Sequence, residues 1–359
     1  MKQSILHIDE LSIGYGKGKR SHIVHRDLTA RLYRGELVCL LGENGSGKST
    51  LIRTICGFQP ALSGMASMNG NNLLQLTEKE LALLASVVLT DRVVVPNATV
   101  EELVGLGRSP HTGALGILDD EDRAIIGLSM EKCRILHKRK DPLSSLSDGE
   151  KQKAFIAKAL AQDTPLIILD EPTAFLDLPA RVEIIQLLRS IASSSDRSVL
   201  MSTHDLDLAL QMADRLWLLA PGENLLEGSP EDLLLHNKFQ GLFKSRGIEF
   251  DNRSGLFRVE YDYKADLRVE GQGFEYVLLK RAFARKGIRV KQAARKLKNL
   301  LEPGEGKPLP KNRNTPFLLK IEGEKDKTFS LLHKGEQLFS ESSIEKTVSQ
   351  CLQHLQAND

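Results

Sequence analysis

A glycine-rich segment near the beginning of the chain has the composition of a phosphate-binding loop. Residues 42–50 read GENGSGKST, which fulfils the pattern GxxxxGK[ST] between an apolar run at 37–41 and a helical sequence. Glycines let backbone N–H groups wrap a phosphate, and the N-terminus of the following helix favours negative charge. The pattern predicts that Lys48 reaches the β- and γ-phosphates of a bound nucleotide and that Ser49 offers its hydroxyl to Mg²⁺. The expected nucleotide-binding residues of this loop are Gly42, Asn44, Gly45, Ser46, Gly47, Lys48, Ser49 and Thr50.

Two adjacent carboxylates follow a second apolar run. Residues 166–169 read LIIL, and Asp170 and Glu171 come directly after them. Phosphoryl transfer needs one group that binds a metal ion and another that positions or deprotonates the attacking water. Asp170 is therefore the expected Mg²⁺ ligand and Glu171 the expected general base. An acidic pair on its own is more often a solvated strand end, but the phosphate loop upstream favours the catalytic interpretation.

These groups require a fold that gathers the ends of several strands. Over the first 250 residues, short and nearly continuous apolar runs alternate with helix-period segments, which is typical of parallel strands covered by helices on both faces. We predict an α/β fold with its clearest strands at 37–41, 166–169 and 198–202. Ligands of such sheets bind beyond the carboxyl ends of the strands. A polar, helical stretch interrupts the alternation and predicts an inserted helical subdomain at about 97–145.

The chain is long enough for two domains, because 359 residues exceed the usual limit of a single core. Residues 251–359 hold 21 Lys and Arg against 15 Asp and Glu, whereas residues 1–250 hold 28 against 32. We therefore predict a nucleotide-binding domain at 1–250 and a small α+β domain at 258–359. In the second domain we expect strands at 267–270, 317–321 and 328–332, helices at 275–285 and 343–355, and a Pro/Gly-rich loop at 302–316.

Bulk composition limits the class of protein. Apolar residues make up 41% of the chain and charged residues 27%, as in ordinary folded soluble proteins. No apolar run approaches the roughly 20 residues that a spanning helix needs. The first residues, MKQSILHIDE, lack the long apolar region of a signal peptide, so the cytoplasm is the expected compartment.

A further segment, LSDGE at 146–150, lies between the phosphate loop and the acidic pair. With this segment in that place, residues 5–250 resemble the ABC ATPase superfamily, whose signature reads LSGGQ. The resemblance implies a P-loop ABC ATPase fold in which Tyr15 stacks on adenine, Asp177 is the D-loop aspartate and His204 is the catalytic switch histidine. In isolation, Tyr15 would more often be a packing residue and His204 a strand-end histidine. Their order and spacing favour the functional roles.

The resemblance also implies partners. Two such domains pair head to tail, so that ATP bound by one phosphate loop is completed by Ser147, Gly149 and Asp177 of the other. A helix N-terminus at Ser147 is suited to face a phosphate. Because one chain carries every element, we expect a homodimer with two equivalent sites. The family further implies an integral membrane permease, indirectly an extracytoplasmic substrate-binding protein, and a peripheral position on the cytoplasmic face of the cell membrane.

Two departures from the family pattern affect the expected site. Asp148 and Glu150 replace Gly and Gln of the signature, and a carboxylate near a phosphate is unfavourable unless it points away or caps the helix. We interpret LSDGE as a tolerated variant. Thr90 stands where the family has the Q-loop glutamine that reaches Mg²⁺ and water, and its side chain is too short to do so in the same way. Coupling to the permease is therefore expected to differ in detail.

One segment points to the type of transporter. Residues 101–111 (EELVGLGRSPH) resemble a segment of the ATPases that serve iron-siderophore, haem and cobalamin importers. An amphipathic helix that ends in a Gly and Pro turn would explain the helix but not the match. We therefore expect uptake of such a chelate.

Non-transport roles remain as alternatives. ABC proteins of DNA repair carry long coiled-coil insertions and those of translation carry two cassettes, whereas this chain has one phosphate loop and no sustained heptad run. The C-terminal domain could instead be a binding module that senses a ligand or partner and regulates the ATPase. Its basic excess could attract anionic lipid or nucleic acid, but a solvated positive face is the simpler interpretation, so nucleic acid is not an expected partner.

Overall fold

The computed structural model describes residues 3–16, 21–90, 97–113, 116–194, 197–239, 248–251, 256–259, 261–293, 317–323 and 326–356. The chain divides into two compact units, residues 1–258 and 259–359. The first unit contains β1 (Ser4–Tyr15), β2 (His22–Tyr33), β3 (Leu37–Leu41), α1 (Lys48–Ile55), β4 (Ser63–Met68), β5 (Asn71–Asn72), α2 (Glu78–Leu84), β6 (Ala85–Val88), α3 (Val100–Gly105), α4 (Asp120–Lys132), α5 (Asp148–Ala161), β7 (Leu166–Leu169), α6 (Leu178–Ser194), β8 (Ser198–Thr203), α7 (Leu206–Met212), β9 (Arg215–Leu218), β10 (Leu226–Gly228), α8 (Pro230–Leu235) and β11 (Ile248–Asp251).

Beyond these elements, β12 (Leu256–Val259) pairs with β11 next to the boundary between the units. Residue 250, the predicted end of the first domain, lies within β11. The second unit contains β13 (Ala265–Glu270), α9 (Phe274–Ala284), β14 (Ile288–Gln292), β15 (Leu318–Glu322), β16 (Thr328–His333), β17 (Glu336–Glu341) and α10 (Ile344–Gln356). Among the described residues, no helix combines the length and the apolar character that crossing a membrane requires.

A six-stranded sheet in the order β10-β9-β3-β8-β7-β6 forms the centre of the first unit. Its five strands from β9 to β6 are parallel, and β10 is antiparallel to β9. Every residue of β3 and β7 is buried, and alternate residues of β3 face different cores: Leu37 and Leu41 pack with α5 and α6, whereas Val38 and Leu40 pack with α1. The predicted α/β sheet is confirmed, and continuous apolar runs form its central strands because both faces are covered.

An antiparallel sheet in the order β2-β1-β4-β5 packs against the α1 side of the central sheet. The apolar residues Leu6, Ile8 and Leu28 of its strands share one core with Leu51 of α1. This packing brings the end of β1 and the start of β2 beside the loop that connects β3 to α1.

The helical segment between β6 and β7 is held together by the residues that resemble an importer motif. Arg108 is buried, and its Nε donates to Asp122 Oδ1 of α4 at 2.7 Å while Nη1 donates to the Ala161 carbonyl of α5 at 2.9 Å. The hydrogen bond from Arg108 holds the pKa of Asp122 below its ordinary value. Gly107 approaches α5 so closely that a Cβ there would lie 2.3 Å from the Lys158 carbonyl oxygen. These residues therefore fix α3 and α4 against α5, the helix that begins within LSDGE.

The second unit is a five-stranded mixed sheet with two helices on one face. Its strand order is β14-β13-β15-β16-β17, with β13 parallel to both β14 and β15 and the remaining pairs antiparallel. Leu267 and Val269 of β13 pack with Phe283 of α9 and Cys351 of α10 in one core. The three strands and two helices expected here are confirmed, β14 and β17 were not anticipated, and the loop predicted at 302–316 lies outside the described residues.

Candidate functional site

The loop between β3 and α1 encloses a buried cation. Lys48 is 5% exposed, and its Nζ donates to the carbonyl oxygens of Gly42 at 2.9 Å and Glu43 at 3.1 Å. Burial lowers the pKa of Lys48, and the negative charges of Glu171 and Asp170 oppose that shift. The ammonium group is therefore held inside the loop, within electrostatic reach of both acidic side chains, where a bound anion would stabilise it.

Two features of the loop bear on ligand binding, a position that requires glycine and a buried hydroxyl without a partner among the described residues. Gly47 has φ of 95°, in the left-handed region, and a Cβ there would lie 2.7 Å from Val24 Cγ1. The Ser46 hydroxyl is buried without a hydrogen-bond partner among the described residues. A buried hydroxyl without a partner is costly, so a ligand oxygen at this place would satisfy it.

A histidine that was not identified from the sequence supports the same loop. His25 of β2 is buried, and its Nε2 lies 2.6 Å from the Ser46 carbonyl oxygen. An Nε2–H donor at this distance fixes the peptide unit that precedes Gly47. A buried histidine on a strand is an inconspicuous sequence signal, and only the packing of β2 against the loop reveals the contact.

The register of the central sheet brings the acidic pair to the same edge. Leu169 of β7 pairs with Met201 of β8, so Asp170 lies level with Ser202. The Ser202 hydroxyl donates to Asp170 Oδ1 at 2.6 Å and accepts the backbone N–H of Glu171 at 2.8 Å. Glu171 has φ of 49°, a left-handed conformation that is uncommon for this residue type, and the bond to Ser202 helps to hold it. Ser202, which no local sequence pattern indicates, thus orients the Asp170 carboxylate and holds the backbone of Glu171.

We predict that Ser202→Ala lowers ATP turnover by about 10- to 100-fold, because a hydrogen bond to a charged group contributes about 1.5–3 kcal/mol. The Mg²⁺ concentration for half-maximal rate should rise, since one oxygen of Asp170 loses its fixed partner. Steady-state ATP hydrolysis at varied Mg²⁺ measures both effects.

Ser86→Ala on β6 is the matched control for Ser202→Ala. Its hydroxyl is equally buried and has no hydrogen-bond partner in the described part of the chain, so its loss should leave the Mg²⁺ dependence unchanged. If both variants shift the Mg²⁺ dependence equally, the orienting role of Ser202 is wrong.

Thr90 also lies at this edge of the sheet. Its Oγ1 donates to the carbonyl oxygen of Asp170 at 2.8 Å, while the Asp170 N–H donates to the Val88 carbonyl at 2.8 Å. The structure therefore brings Thr90 next to the acidic pair. Its hydroxyl bonds the backbone at Asp170, the first residue after β7.

Tyr15 and His204 belong to strand ends next to the phosphate loop. The Tyr15 ring is 52% exposed, and its hydroxyl lies 2.8 Å from Thr50 Oγ1, which ties the end of β1 to α1. Tyr15 also lines a cavity of about 310 Å³ together with Arg53 and Phe58. His204 is exposed and follows Thr203, the residue of β8 that pairs with Leu41 at the end of β3. An exposed aromatic ring thus lies next to α1, and an exposed imidazole follows the strand residue that pairs with the last residue before the phosphate loop.

The LSDGE segment forms the start of α5. Ser147 is the N-cap: its Oγ accepts the N–H of Glu150 at 3.3 Å, and Glu150 Oε2 accepts the backbone N–H of Ser147 at 2.8 Å. The hydrogen bond from the Ser147 backbone lowers the pKa of Glu150. This reciprocal capping box explains how a carboxylate is accommodated here, because it caps the helix. Gly149 lies in the first turn of α5.

Asp177 occupies the corresponding place on α6. Its Oδ1 accepts the N–H of Ala180 at 3.0 Å, and the side chain is exposed. Within the described residues, Ser147, Gly149 and Asp177 make no hydrogen bond to the phosphate loop of the same chain. The structure therefore places the loop, the acidic pair, Thr90, Tyr15 and His204 at one edge of the central sheet, whereas Ser147 and Gly149 lie at the N-terminus of α5 and Asp177 lies at the N-terminus of α6.

Comparison with known proteins gives a family match and many relatives. The family model described as ABC transporter matches residues 25–174. An uncharacterized ABC transporter ATP-binding protein of Methanocaldococcus jannaschii is 34% identical over 256 residues, which cover 71% of this chain and 87% of that protein. The iron(3+)-hydroxamate import ATP-binding protein of Bacillus subtilis is 33% identical, over 67% of this chain and 87% of that protein.

Solved structures give the same picture of the first unit. An inward-facing metal-chelate type ABC transporter matches with a TM-score of 0.58 and 25% identity, over 67% of this chain and 89% of that one. A dimeric ATP-binding cassette in a post-hydrolysis state, bound to ADP and Pi, matches with a TM-score of 0.55 and 25% identity, over 63% of this chain and 99% of that one.

Proposed function

This chain belongs to the ABC transporter family, and from that premise we propose that it hydrolyses ATP to drive uptake of a metal chelate through a separate membrane permease. The observation that carries the proposal is the site at the carboxyl edge of the central sheet. A buried lysine inside a glycine loop lies within electrostatic reach of two carboxylates that follow a neighbouring strand. This combination binds phosphates and supports attack by water on the terminal phosphate.

Each residue of the site has an expected role in hydrolysis. Residues 42–50 enclose the phosphates with backbone N–H groups, and Lys48 exchanges its two carbonyl partners for phosphate oxygens. Glu171 positions the attacking water and takes its proton, while His204 donates a hydrogen bond to the terminal phosphate. The exposed ring of Tyr15 stacks on the adenine.

The residues of the site also fit Mg²⁺. A magnesium ion usually takes one or two protein oxygens, several waters and the substrate phosphates. Ser49 is exposed in the first turn of α1, and Ser202 occupies one oxygen of Asp170 so that the other can face a cation. When bound, Mg²⁺ would neutralise charge on the phosphates, held by Ser49 and Asp170. Thr90 lies beside Asp170, but its hydroxyl already donates to a carbonyl oxygen, so it would reach the ion only through water.

We assign the assembly as a homodimer with two ATP sites. Ser147, Gly149 and Asp177 lie at helix N-termini and make no hydrogen bond to their own phosphate loop in the described residues. Such N-termini favour phosphate, so these residues can complete the site of a second copy. A related cassette is dimeric in its post-hydrolysis state, which supports this arrangement.

The chelate assignment has two supports. One relative is an iron(3+)-hydroxamate import protein, and another, 34% identical over 234 residues, is a cobalamin import ATP-binding protein of Halobacterium salinarum. The matching segment 101–111 contributes Gly107 and Arg108 to the packing of α3 and α4 against α5. The segment therefore shapes the helical surface offered to a permease, while the permease and an extracytoplasmic binding protein would select the cargo.

The test is recovery and reconstitution of the complex. The tagged chain, purified from detergent-solubilised membranes of its own cell, should recover a polytopic membrane protein at the cytoplasmic face. In proteoliposomes with that partner and its binding protein, ATP should drive uptake of a ferric hydroxamate or cobalamin. Recovery of ribosomes or DNA in place of a membrane protein would contradict the proposal and favour a non-transport ABC role.

A separate prediction concerns Thr90. Because its hydroxyl bonds the Asp170 backbone beside the acidic pair, Thr90→Ala should lower permease-stimulated ATP turnover about tenfold while ATP affinity stays within about twofold. Turnover in the reconstituted complex and ATP binding to the chain alone measure the two effects.

Thr90→Ser is the control, since it keeps the hydroxyl and should retain the stimulated rate. An unchanged rate in Thr90→Ala would show that this residue does not act in coupling.

The second unit lies outside this machinery in our proposal. Every residue assigned to ATP binding or hydrolysis belongs to residues 1–258, and the second unit has its own core. We therefore treat the second unit, residues 259–359, as an appendage that acts on regulation or assembly.

A further inference from the structure

A polar cavity lies at one edge of the sheet of the second unit. Its volume is about 670 Å³, within the range of about 300–1,000 Å³ that is usual for small-molecule sites. Glu270 of β13, Gln292 of β14 and Lys320 of β15 line it. Because β13 is parallel to both β14 and β15, the carboxyl ends of all three strands meet at this edge.

The strand order changes direction at this cavity. From β13 the chain passes through α9 to β14 on one side, whereas β15 pairs with the opposite side of β13. Successive strands are thus added first on one side of β13 and then on the other, so the direction of strand addition reverses beside β13. In open sheets with parallel strands, ligands bind beyond the carboxyl ends at such a reversal. The cavity occupies the place where a ligand is expected from topology alone.

The turn from β13 to α9 is a Gly271-Gln272-Gly273 loop, of which Gly271 and Gln272 line the cavity. Gly271 approaches β15 so closely that a Cβ would lie 2.7 Å from Ile321 Cδ1. Gly273 has φ of 90° and caps the 11-residue helix α9 without a side-chain hydrogen bond. The N-terminus of α9 therefore comes directly after residues that line the cavity. Its glycine backbone can be approached by a phosphate.

The lining offers both donors and acceptors. Lys320 and Lys327 provide ammonium groups, and Glu270 and Glu322 provide acceptor oxygens. Gln292 Nε2 donates to the Gly271 carbonyl at 3.2 Å, so its Oε1 is the atom it offers to a ligand. Lys320 Nζ lies 3.8 Å from Glu270 Oε2, and Glu322 Oε2 accepts the Ser330 hydroxyl at 3.3 Å. A simple inorganic anion would meet two carboxylates as well as two lysines. A ligand that joins a phosphate to sugar hydroxyls matches both halves of this lining.

We propose that the cavity binds a mononucleotide, with its phosphate at the N-terminus of α9 and at Lys320, and its ribose hydroxyls at Gln292 and Glu270. The β13-α9-β14 crossover has the form of one mononucleotide-binding half of a doubly wound sheet, and Gln292 ends the second strand, where a residue that contacts ribose is expected.

The test uses the full chain with Lys48→Ala, which removes the phosphate-loop lysine of the first unit. Hydrogen exchange followed by mass spectrometry with AMP as the probe should show protection of backbone amides at 270–277. Adenosine alone and inorganic phosphate alone, each at the same concentration, should give little protection, because each carries only half of the recognised chemistry. No protection with millimolar AMP overturns the proposal, as does equal protection by phosphate alone or by adenosine alone.

Two variants in the same background locate the site. Lys320→Ala and Gln292→Ala should each weaken AMP binding by about tenfold, since each removes hydrogen bonds to the ligand. Both side chains are at least partly exposed, so the second unit should stay folded, and unchanged exchange in β16 would verify this. Lys291→Ala, on β14 beside Gln292 and paired with Asp266, is the matched control and should bind AMP normally. Equal weakening in the control overturns the assignment.

Discussion

Replacing Lys48 by Ala should lower the affinity of the first unit for ATP by on the order of 10²–10⁴, because two charge-assisted hydrogen bonds to phosphate oxygens are lost. Lys48 is nearly buried, and its Nζ is already aimed at the carbonyl oxygens that bound the loop. No ordering of the side chain is then needed when phosphate arrives. Isothermal titration with ATP and Mg²⁺, together with hydrogen exchange of residues 42–55, measures the loss.

Lys79→Ala on the exposed face of α2 is the control for Lys48→Ala. It makes the same change in net charge at a position outside the loop sequence. It should bind ATP with normal affinity. Retention of ATP-dependent protection at residues 42–55 in Lys48→Ala would show that the backbone cradle alone holds the phosphates, contrary to the proposed role of the lysine.

The chemistry of the candidate site could be predicted because local sequence determines it. A glycine loop between a buried strand and a helix has few other uses, and the structure shows Lys48 enclosed there. The acidic pair after 166–169 was likewise placed at a strand end, which β7 confirms. In both cases the responsible residues are neighbours in sequence, so periodicity and spacing suffice.

The supporting residues could not be predicted because they depend on strand register and packing. Ser202 meets Asp170 only because β7 and β8 are adjacent and Leu169 pairs with Met201. His25 meets Ser46 only because a second sheet packs beside the loop. Neither residue carries a local pattern, since one is a serine within a buried strand and the other a histidine within an alternating strand.

The second unit shows a different limit. Strand β14 reads IRVKQ, and its polar positions face away from the core while Ile288 and Val290 are buried. Strand β17 has no fully buried residue. A strand that buries one face, or hardly any residue, gives a weak apolar signal, so these two were missed. Because β14 was missed, the change of direction in the strand order beside β13, on which the nucleotide proposal rests, could not be predicted.

Glu171→Gln should leave ATP affinity within about threefold of the original value and lower turnover by about 10²–10⁴, the usual contribution of a general base. The amide has nearly the shape of the carboxylate, so the left-handed turn and the bond from its N–H to Ser202 can remain. Only the capacity to take a proton from water is removed. Stopped-flow ATP binding and steady-state phosphate release distinguish the two steps.

The same variant should hold two copies together, because ATP that is bound but not hydrolysed keeps the N-termini of α5 and α6 of one copy on the phosphates of the other. Size-exclusion chromatography with light scattering should give a monomer without nucleotide and a dimer with ATP and Mg²⁺. Glu78→Gln, an isosteric change in the exposed first turn of α2, should hydrolyse ATP normally and not accumulate the dimer. A Glu171→Gln protein that stays monomeric at protein and ATP concentrations well above the nucleotide dissociation constant would contradict the shared site, since Ser147 and Gly149 would then have no phosphate to face.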